Sequence, residues 1–212
     1  MKYSLVIWDF NGTVLDDLEL SLNSINTVLK KRNLPLIEGK NAYRTFFKFP
    51  IEKYYEDLGM DFTKEPYKIP ADEWVALYNS GADRVPLTNG VKEVIDKIAE
   101  TKTPQIILSA SEKEMLNAQL ERAGLLSIFE TVLGTDNVYG GGKISMAKRW
   151  AENTDTDLTN AVLIGDTDHD YQTATAIGCD CILYANGHMD RKRLEETGAT
   201  VIDSMYNLFD IL

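Results

Sequence analysis

Hydrophobic positions along this chain follow two rhythms. Short, largely apolar runs, Tyr3 to Trp8, Pro104 to Leu108, Ala161 to Ile164 and Cys181 to Tyr184, are rich in β-branched or aromatic residues and each stops at small or polar ones. That is the signature of strands buried on both faces of a parallel sheet. Between them, apolar residues recur at three- and four-residue spacing over Val91 to Glu100, Glu112 to Ala123, Ser145 to Asn153 and Tyr171 to Ile177, which predicts amphipathic helices. Gly124 and Gly178 mark the ends of two of them. Strand alternating with helix predicts an α/β fold with a Rossmann-like parallel sheet, covered on both faces and open to ligands at the carboxyl ends of its strands. Asp9, Ser109 and Asp166 stand at those ends.

One stretch breaks the alternation. Over residues 16–81 the spacing is helical, in Leu18 to Arg32, Asn41 to Phe47, Ile51 to Leu58 and Asp72 to Ser80, with no strand pattern. An α-helical cap inserted after the first strand is expected, with residues 1–15 and 82–212 forming the core. Asp16-Asp17 on entry, and Ser80-Gly81 and Val85-Pro86 on return, are candidate hinges. Asp17 equally suits the N-cap of the helix that starts at Leu18.

Composition narrows the function. A chain of 212 residues, 44% hydrophobic, can bury one substantial core and a smaller inserted unit. Its net charge of −11 argues against a nucleic-acid surface, which would present Lys and Arg to phosphates. Any anionic ligand must then be met by a local cation. No apolar run approaches a signal peptide or a membrane span, so a cytoplasmic monomer or small homo-oligomer with no membrane partner is expected. Two cysteines, Cys179 and Cys181, lack the further Cys or clustered His that a soft metal site needs, and read as buried thiols.

The candidate chemistry lies in the order of four short motifs. Asp9-Phe10-Asn11-Gly12-Thr13 follows the first strand, and Ser109 ends another. Lys143 comes after Gly140-Gly141-Gly142, ahead of a helix, with Lys148 as a rival inside the helical pattern. Gly165-Asp166 then leads, four residues on, to Asp170. Each element alone is weak; four in order at strand ends are specific. The set, together with the inserted helices, resembles the haloacid dehalogenase-like superfamily along the whole chain, and most of all its phosphoglycolate-phosphatase-like branch.

The resemblance implies a Mg²⁺-dependent phosphate monoester hydrolase acting on a small phosphorylated metabolite, with Asp9 as the nucleophile that forms an aspartyl-phosphate. It also implies Asp9, the Asn11 backbone carbonyl, Asp166 and Asp170 as metal ligands, the last directly or through water. Ser109, Ala110 and Thr13 would receive the phosphate, and Lys143 would be the fixed cation that keeps Asp9 ionised. These residue types suit the reaction, because phosphoryl transfer needs an in-line nucleophile and positive charge around the equatorial oxygens, and a hard cation relieves the repulsion between carboxylate and phosphate. Ser111 reads as the cap of the following helix, with Glu114 completing a capping box, and His169, lying between two motif carboxylates, as non-catalytic.

One position departs from the family pattern. Phosphatases of this superfamily typically carry a second Asp two residues after the nucleophile, which protonates the leaving oxygen and then activates water; here it is Asn11. An amide cannot take and return a proton, a service worth about 10²- to 10⁴-fold in rate. Three readings follow: a natural phosphatase that uses water or a substrate group instead, a slow or inactive relative that binds phosphorylated ligands, or an Asp-to-Asn trapping variant. A dehalogenase is disfavoured, since that branch typically has Tyr at this position.

In the helical insertion, Lys40 to Lys53 holds four basic side chains and one acidic one. Arg44 and Lys48, four apart on one helix face, are candidate anion contacts for a closing cap. Against this, Phe46, Phe47 and Phe49 read as apolar packing with the cations on a solvated face.

Overall fold

A computed structural model describes residues 1–135 and 142–212. Six parallel strands form one sheet in the order β3-β2-β1-β4-β5-β6, where β1 is Leu5–Trp8, β2 Gln105–Glu112, β3 Thr131–Thr135, β4 Ala161–Gly165, β5 Asp180–Tyr184 and β6 Thr200–Ile202. The helices are α1 (Leu18–Lys31), α2 (Gly39–Phe46), α3 (Ile51–Asp57), α4 (Lys68–Ala82), α5 (Val91–Glu100), α6 (Lys113–Arg122), α7 (Lys143–Ala151), α8 (Asp168–Ile177), α9 (Arg191–Glu195) and α10 (Leu208–Ile211). Strand order runs outward from β1 in both directions, so the chain reverses at β1 and opens a crevice at the carboxyl ends of β1 and β4.

The strand period of two divides the core. On β1, Val6 and Trp8 face the layer that contains α5 and α6, while Leu5 and Ile7 face the layer built on α7 and α8. Full burial on both sides is why β1 has no polar residue until Asp9. The Trp8 indole Nε1 donates to Gln105 Oε1 at 3.0 Å, and Gln105 Nε2 donates to the Ile95 carbonyl at 3.0 Å, so the buried polar atoms are paired.

The helices α1 to α4 all lie between β1 and β2 in sequence and bury a cluster of their own, centred on Leu22, Ile25, Leu29, Tyr43, Tyr54 and Tyr55. The principal packing is α1 against α4. Among the described residues no helix is long and apolar enough to cross a membrane.

Three features differ from the pattern-based expectation. The sheet has two further strands, β3 and β6, which are only partly buried edge strands: the apolar run of β3 is cut at Gly134, and β6 has three residues. β2 runs past Leu108 to Glu112, with a register shift against β3 between those two residues, and that irregularity re-aims Ser109 to Ser111. Helix α8 starts at Asp168 rather than Tyr171, and α7 at Lys143 rather than Ser145, so Lys143 is the first residue of a helix whose N-cap is Gly142. Gly140 and Gly141 lie outside the described residues. Cys179 and Cys181 are partly buried against the α7–α8 layer, and burial pushes the Cys179 thiol up to about 12, as an unreactive thiol requires.

Candidate active site at the carboxyl edge of the sheet

The site is built first from the turn after β1. Asp9 continues the ladder, its N–H donating to the Ile164 carbonyl at 2.8 Å, and the chain then folds back so that Val14 and Leu15 N–H groups donate to the Phe10 carbonyl at 2.9 and 2.8 Å. This turn needs Gly12, whose φ is +76° and whose missing Cβ would lie 2.3 Å from Asp166 Oδ2. Gly187, after β5, makes the same allowance from the other side, also 2.3 Å from that oxygen. Asp166 is thereby enclosed by backbone. The Thr13 hydroxyl donates to its Oδ1 at 3.0 Å and the His188 N–H to its Oδ2 at 2.6 Å.

Asp170 is set by the start of α8. Its Oδ2 accepts from the N–H groups of Asp166 and Thr167 and from the Thr167 hydroxyl, at 3.1, 3.0 and 2.7 Å, which makes it the acidic half of a capping box. Its Oδ1 accepts from Lys143 Nζ, and the same ammonium donates to Asp9 Oδ1. Lys143, at 3% exposure, is therefore a buried cation shared by the strand-end carboxylate of Asp9 and the first-turn carboxylate of α8, Asp170. Lys148 is exposed on the helix that Lys143 begins.

Three buried carboxylates, Asp9, Asp166 and Asp170, have oxygens within 4.8 Å of one another. Burial pushes Asp9 well above its ordinary value despite the pull of Lys143, with Asp170 and Asp166 adding to the rise. Asp166 is raised to about 6, again by burial first, partly offset by His188. Burial also acts to raise Asp170, but Lys143 and the hydrogen bonds around it hold it below the usual range. Lys143 itself loses by desolvation and gains more from Asp170 and Asp9, so it stays protonated. Two carboxylates remain in excess of the one ammonium, and a hard divalent cation bound to their oxygens would balance them. The donor set fits Mg²⁺.

Next to this charged floor lies a network that sequence patterning did not reveal. Asn11 Nδ2 donates to Asp17 Oδ2 at 2.9 Å and to the Tyr78 hydroxyl at 2.7 Å, and its Oδ1 accepts from the Ser111 hydroxyl at 2.6 Å. Asp17 also accepts from the Gly12 N–H at 2.8 Å, from the Tyr78 hydroxyl at 2.7 Å and from His188 Nε2 at 3.0 Å. Burial would raise Asp17 and lower His188; their pairing reverses both, holding Asp17 below its ordinary value and taking His188 up to about 9. The other ring nitrogen of His188 lies 3.0 Å from the Tyr43 hydroxyl. A buried imidazolium–carboxylate pair thus joins α1, α2 and the turn after β5.

Several expectations are corrected here. Asp17 occupies the N-cap position of α1 but makes no capping bond; its carboxylate turns inward because four donors converge there. Ser111 does not cap α6: Glu112 does, accepting from the N–H groups of Glu114 and Met115, and Ser111 is drawn to Asn11 instead. Thr13, expected to receive phosphate, spends its hydroxyl on Asp166 and does not line the cavity. Arg44 does not line it either. Its guanidinium donates to the carbonyls of Gly187 and Asn186 at 2.9 and 2.8 Å and braces α2 against the sheet edge. Lys48 is paired with Asp57 on the outer face of the helices. His169 lines the cavity and stacks on Phe49, ring centroids 4.6 Å apart. Ser109, Ala110, Lys143, Asp9, Asn11, Asp166 and Asp170 do line it, so most of the proposed set is brought together. His188 was the residue to notice: one of only two histidines, it comes four residues after a buried strand.

The cavity measures about 210 Å³, against roughly 10–15 Å³ on the same measure for a single water, so it admits a small organic molecule. Its floor is the charged set above. Its roof is Tyr43, Phe47, Phe49, Tyr54, Trp74 and Tyr78, from helices α2, α3 and α4 and the link between α2 and α3.

Comparison with known proteins agrees with this geometry. A family model described as haloacid dehalogenase-like hydrolase matches residues 6–184. The protein named Probable phosphatase IndB, from Dickeya dadantii, is 26% identical over 190 residues, covering 84% of this chain and 79% of that one. Among solved structures, a haloacid dehalogenase-like family hydrolase from Streptococcus pneumoniae superposes with a TM-score of 0.84 at 14% identity over 99% of this chain and 98% of that one. A protein described as a predicted phosphoglycolate phosphatase from Haemophilus somnus superposes with a TM-score of 0.80 at 16% identity, covering 100% and 98%. At such identities the structures speak to the fold.

Proposed function

The chain belongs to the haloacid dehalogenase-like hydrolase family, and from that premise we propose that it hydrolyses a small phosphate monoester through an aspartyl-phosphate on Asp9. The observation that carries this reading is Lys143, buried at the head of α7 with its ammonium on both Asp9 and Asp170. A carboxylate at a crevice, oriented by a fixed cation and next to a donor set suited to a hard metal, is equipped for in-line attack on phosphorus. Asp9, Asp166, Asp170 and the Asn11 carbonyl would hold Mg²⁺. When bound, the metal supplies charge neutralisation between the nucleophile and the phosphate dianion.

The remaining work falls to this chain's own groups. Lys143 opposes the rise that burial imposes on Asp9, favouring its ionised, attacking form, and supplies positive charge to the phosphate. The Ser109 hydroxyl, which accepts from the Ser111 N–H at 3.1 Å, has its own proton to give a phosphate oxygen. Helices α1 to α4 act as a cap over residues 16–81, latched through Arg44, His188 and the Phe49–His169 stack, and they shield the reacting atoms from bulk water. Asn11 has both ends of its amide bonded and positions the turn without exchanging a proton.

That last observation also favours a second reading, a binder of phosphorylated ligands with little turnover. A panel of phosphorylated metabolites assayed with Mg²⁺ separates the two. Phosphate release that disappears with a chelator and in Asp9→Ala is expected. Ligand binding without release from any compound, in a chain that Mg²⁺ still protects against thermal unfolding, would establish the binder.

A further inference from the structure

The part of the cavity lining that residues 18–82 contribute is mostly aromatic, Tyr43, Phe47, Phe49, Tyr54, Trp74 and Tyr78 among it, with Ser21 and Asn79 as its polar non-aromatic members, and Trp74 and Tyr78 stack with centroids 4.9 Å apart. Lys143 is the one Lys or Arg among the described lining residues, and it is already engaged by Asp9 and Asp170. The His188 imidazolium also reaches the lining but is held by Asp17, so a polyhydroxylated or carboxylated leaving group would find Ser21 and Asn79 as the polar side chains among the rings and would lose hydration on entering. An aromatic ring gains from the same surface by burial and by ring–ring contact. Tyr54 adds a second sign, for its hydroxyl is buried in that lining and has no hydrogen-bond partner among the described residues. A buried hydroxyl without a partner is costly unless something meets it, and a polar substituent on a bound ring would do so.

The floor points the same way. With Asn11 in place of an acid, the leaving oxygen must depart without a proton from that position. An alkoxide is about as poor a leaving group as hydroxide, whose parent acid has a pKa of about 15.7. A phenolate, whose parent acid titrates near 10, departs about as easily as the missing acid would allow an alcohol to. The aromatic roof and the amide at position 11 are separate features of the chain, and one substrate class satisfies both.

Resting on the hydrolase reading above, we propose that the substrate is an aryl phosphate, with phosphorus esterified to the oxygen of an aromatic ring that lies against the Trp74–Tyr78 side of the cavity. The Asp9 carboxylate oxygen forms a bond to phosphorus as the bond from phosphorus to the aryl oxygen breaks. The electron pair leaves on that oxygen as a phenolate, which takes a proton from water. A second water then attacks phosphorus, its proton passing to solvent, and inorganic phosphate and the free Asp9 carboxylate are regenerated.

The test measures kcat/KM for phenyl, benzyl, cyclohexyl and ethyl phosphate with Mg²⁺, together with inhibition or calorimetric binding of phenylphosphonate and ethylphosphonate. Phenylphosphonate is expected to bind more tightly than ethylphosphonate by at least about tenfold, and phenyl phosphate to turn over faster than benzyl phosphate, which shares the ring but not the leaving oxygen. Trp74→Ala should remove most of the preference for phenylphosphonate over ethylphosphonate; Trp74→Leu, which keeps bulk but no ring, is the alternative if that variant fails to fold. Asn11→Asp should accelerate benzyl phosphate more than phenyl phosphate. Ethyl phosphate turned over as well as phenyl phosphate would overturn the substrate class and leave the hydrolase reading standing. No release from any ester, with phenylphosphonate still preferred, would overturn hydrolysis and leave the aromatic ligand class standing. Equal or absent binding of the two phosphonates overturns it.

Discussion

The floor and the roof of the cavity solve opposite physical problems with opposite materials. On the floor, strand ends gather three carboxylates and one ammonium, nearly every one tied to a specific backbone or side-chain donor. On the roof, helices between β1 and β2 present rings that interlock edge to face and by stacking. Geometry on the floor is held by directional bonds in low dielectric, where an error of position leaves an uncompensated charge. On the roof it is held by area, which tolerates a change of shape at a smaller cost. Chemistry and selectivity are thus divided between regions of different sensitivity, with Asp17 and His188 at the seam.

The largest effect expected from breaking this division is on the floor. Lys143→Met leaves Asp9 and Asp170 buried without their cation, and should lower the unfolding free energy in chelator by about 3–5 kcal/mol. Urea denaturation measures it, and a loss under about 1 kcal/mol would mean that the ammonium is dispensable. Phosphate release by the same variant should fall by about 10²- to 10³-fold.

The seam comes next. Because His188 titrates in the folded chain at about 9, above its ordinary 6.5, its stabilisation is complete below pH 6.5 and is lost as pH rises through about 9. Asp17, held low, keeps its side of the pair charged throughout that range. The stability gap between the parent chain and His188→Gln, measured in chelator, should therefore be constant at about 3 kcal/mol on the acid side and shrink above pH 6.5. A gap flat from pH 6 to pH 10 would show that His188 packs there uncharged.

Smaller effects are expected where the helices are braced to the sheet. Arg44→Ala removes two bonds to backbone carbonyls and should cost about 1–3 kcal/mol in thermal unfolding, with a rise in KM as the roof loosens. Lys48→Ala, which breaks an outer pair with Asp57, should change stability by less than about 1 kcal/mol and KM not at all. A marked rise in KM for Lys48→Ala would restore it as an anion contact and blur the separation of floor from roof.

Much of the floor was readable in advance because strand endings are local. An apolar run that stops at Asp9, Ser109 or Asp166 announces both the strand and the residue it delivers, and parallel strands must bring such ends together. Helical spacing over residues 16–81 revealed the roof's secondary structure for the same reason. What remained hidden depends on direction and pairing. Nothing in the spacing of Arg44 says whether its guanidinium enters the cavity or grips the carbonyls of Asn186 and Gly187. Position 17 reads as an N-cap until four donors, from Asn11, Gly12, Tyr78 and His188, are seen to surround it. The edge strand β3 is only partly buried and has its apolar run cut at Gly134, and β6 holds three residues, too few for a period to register.

By itself, then, the sequence determined four of the sheet's six strands, the order of its chemistry-bearing ends and the absence of a carboxyl at position 11, because each is carried by consecutive residues. The tertiary structure decided that Asn11 is held between Asp17, Tyr78 and Ser111, that His188 carries charge, and that the cavity roof is aromatic rather than basic. Apart from the Asn11–Asp17 bond, the polar contacts behind them join side chains 67 to 171 residues apart along the chain, whose meeting is set by how the helices pack onto the sheet and by no local preference.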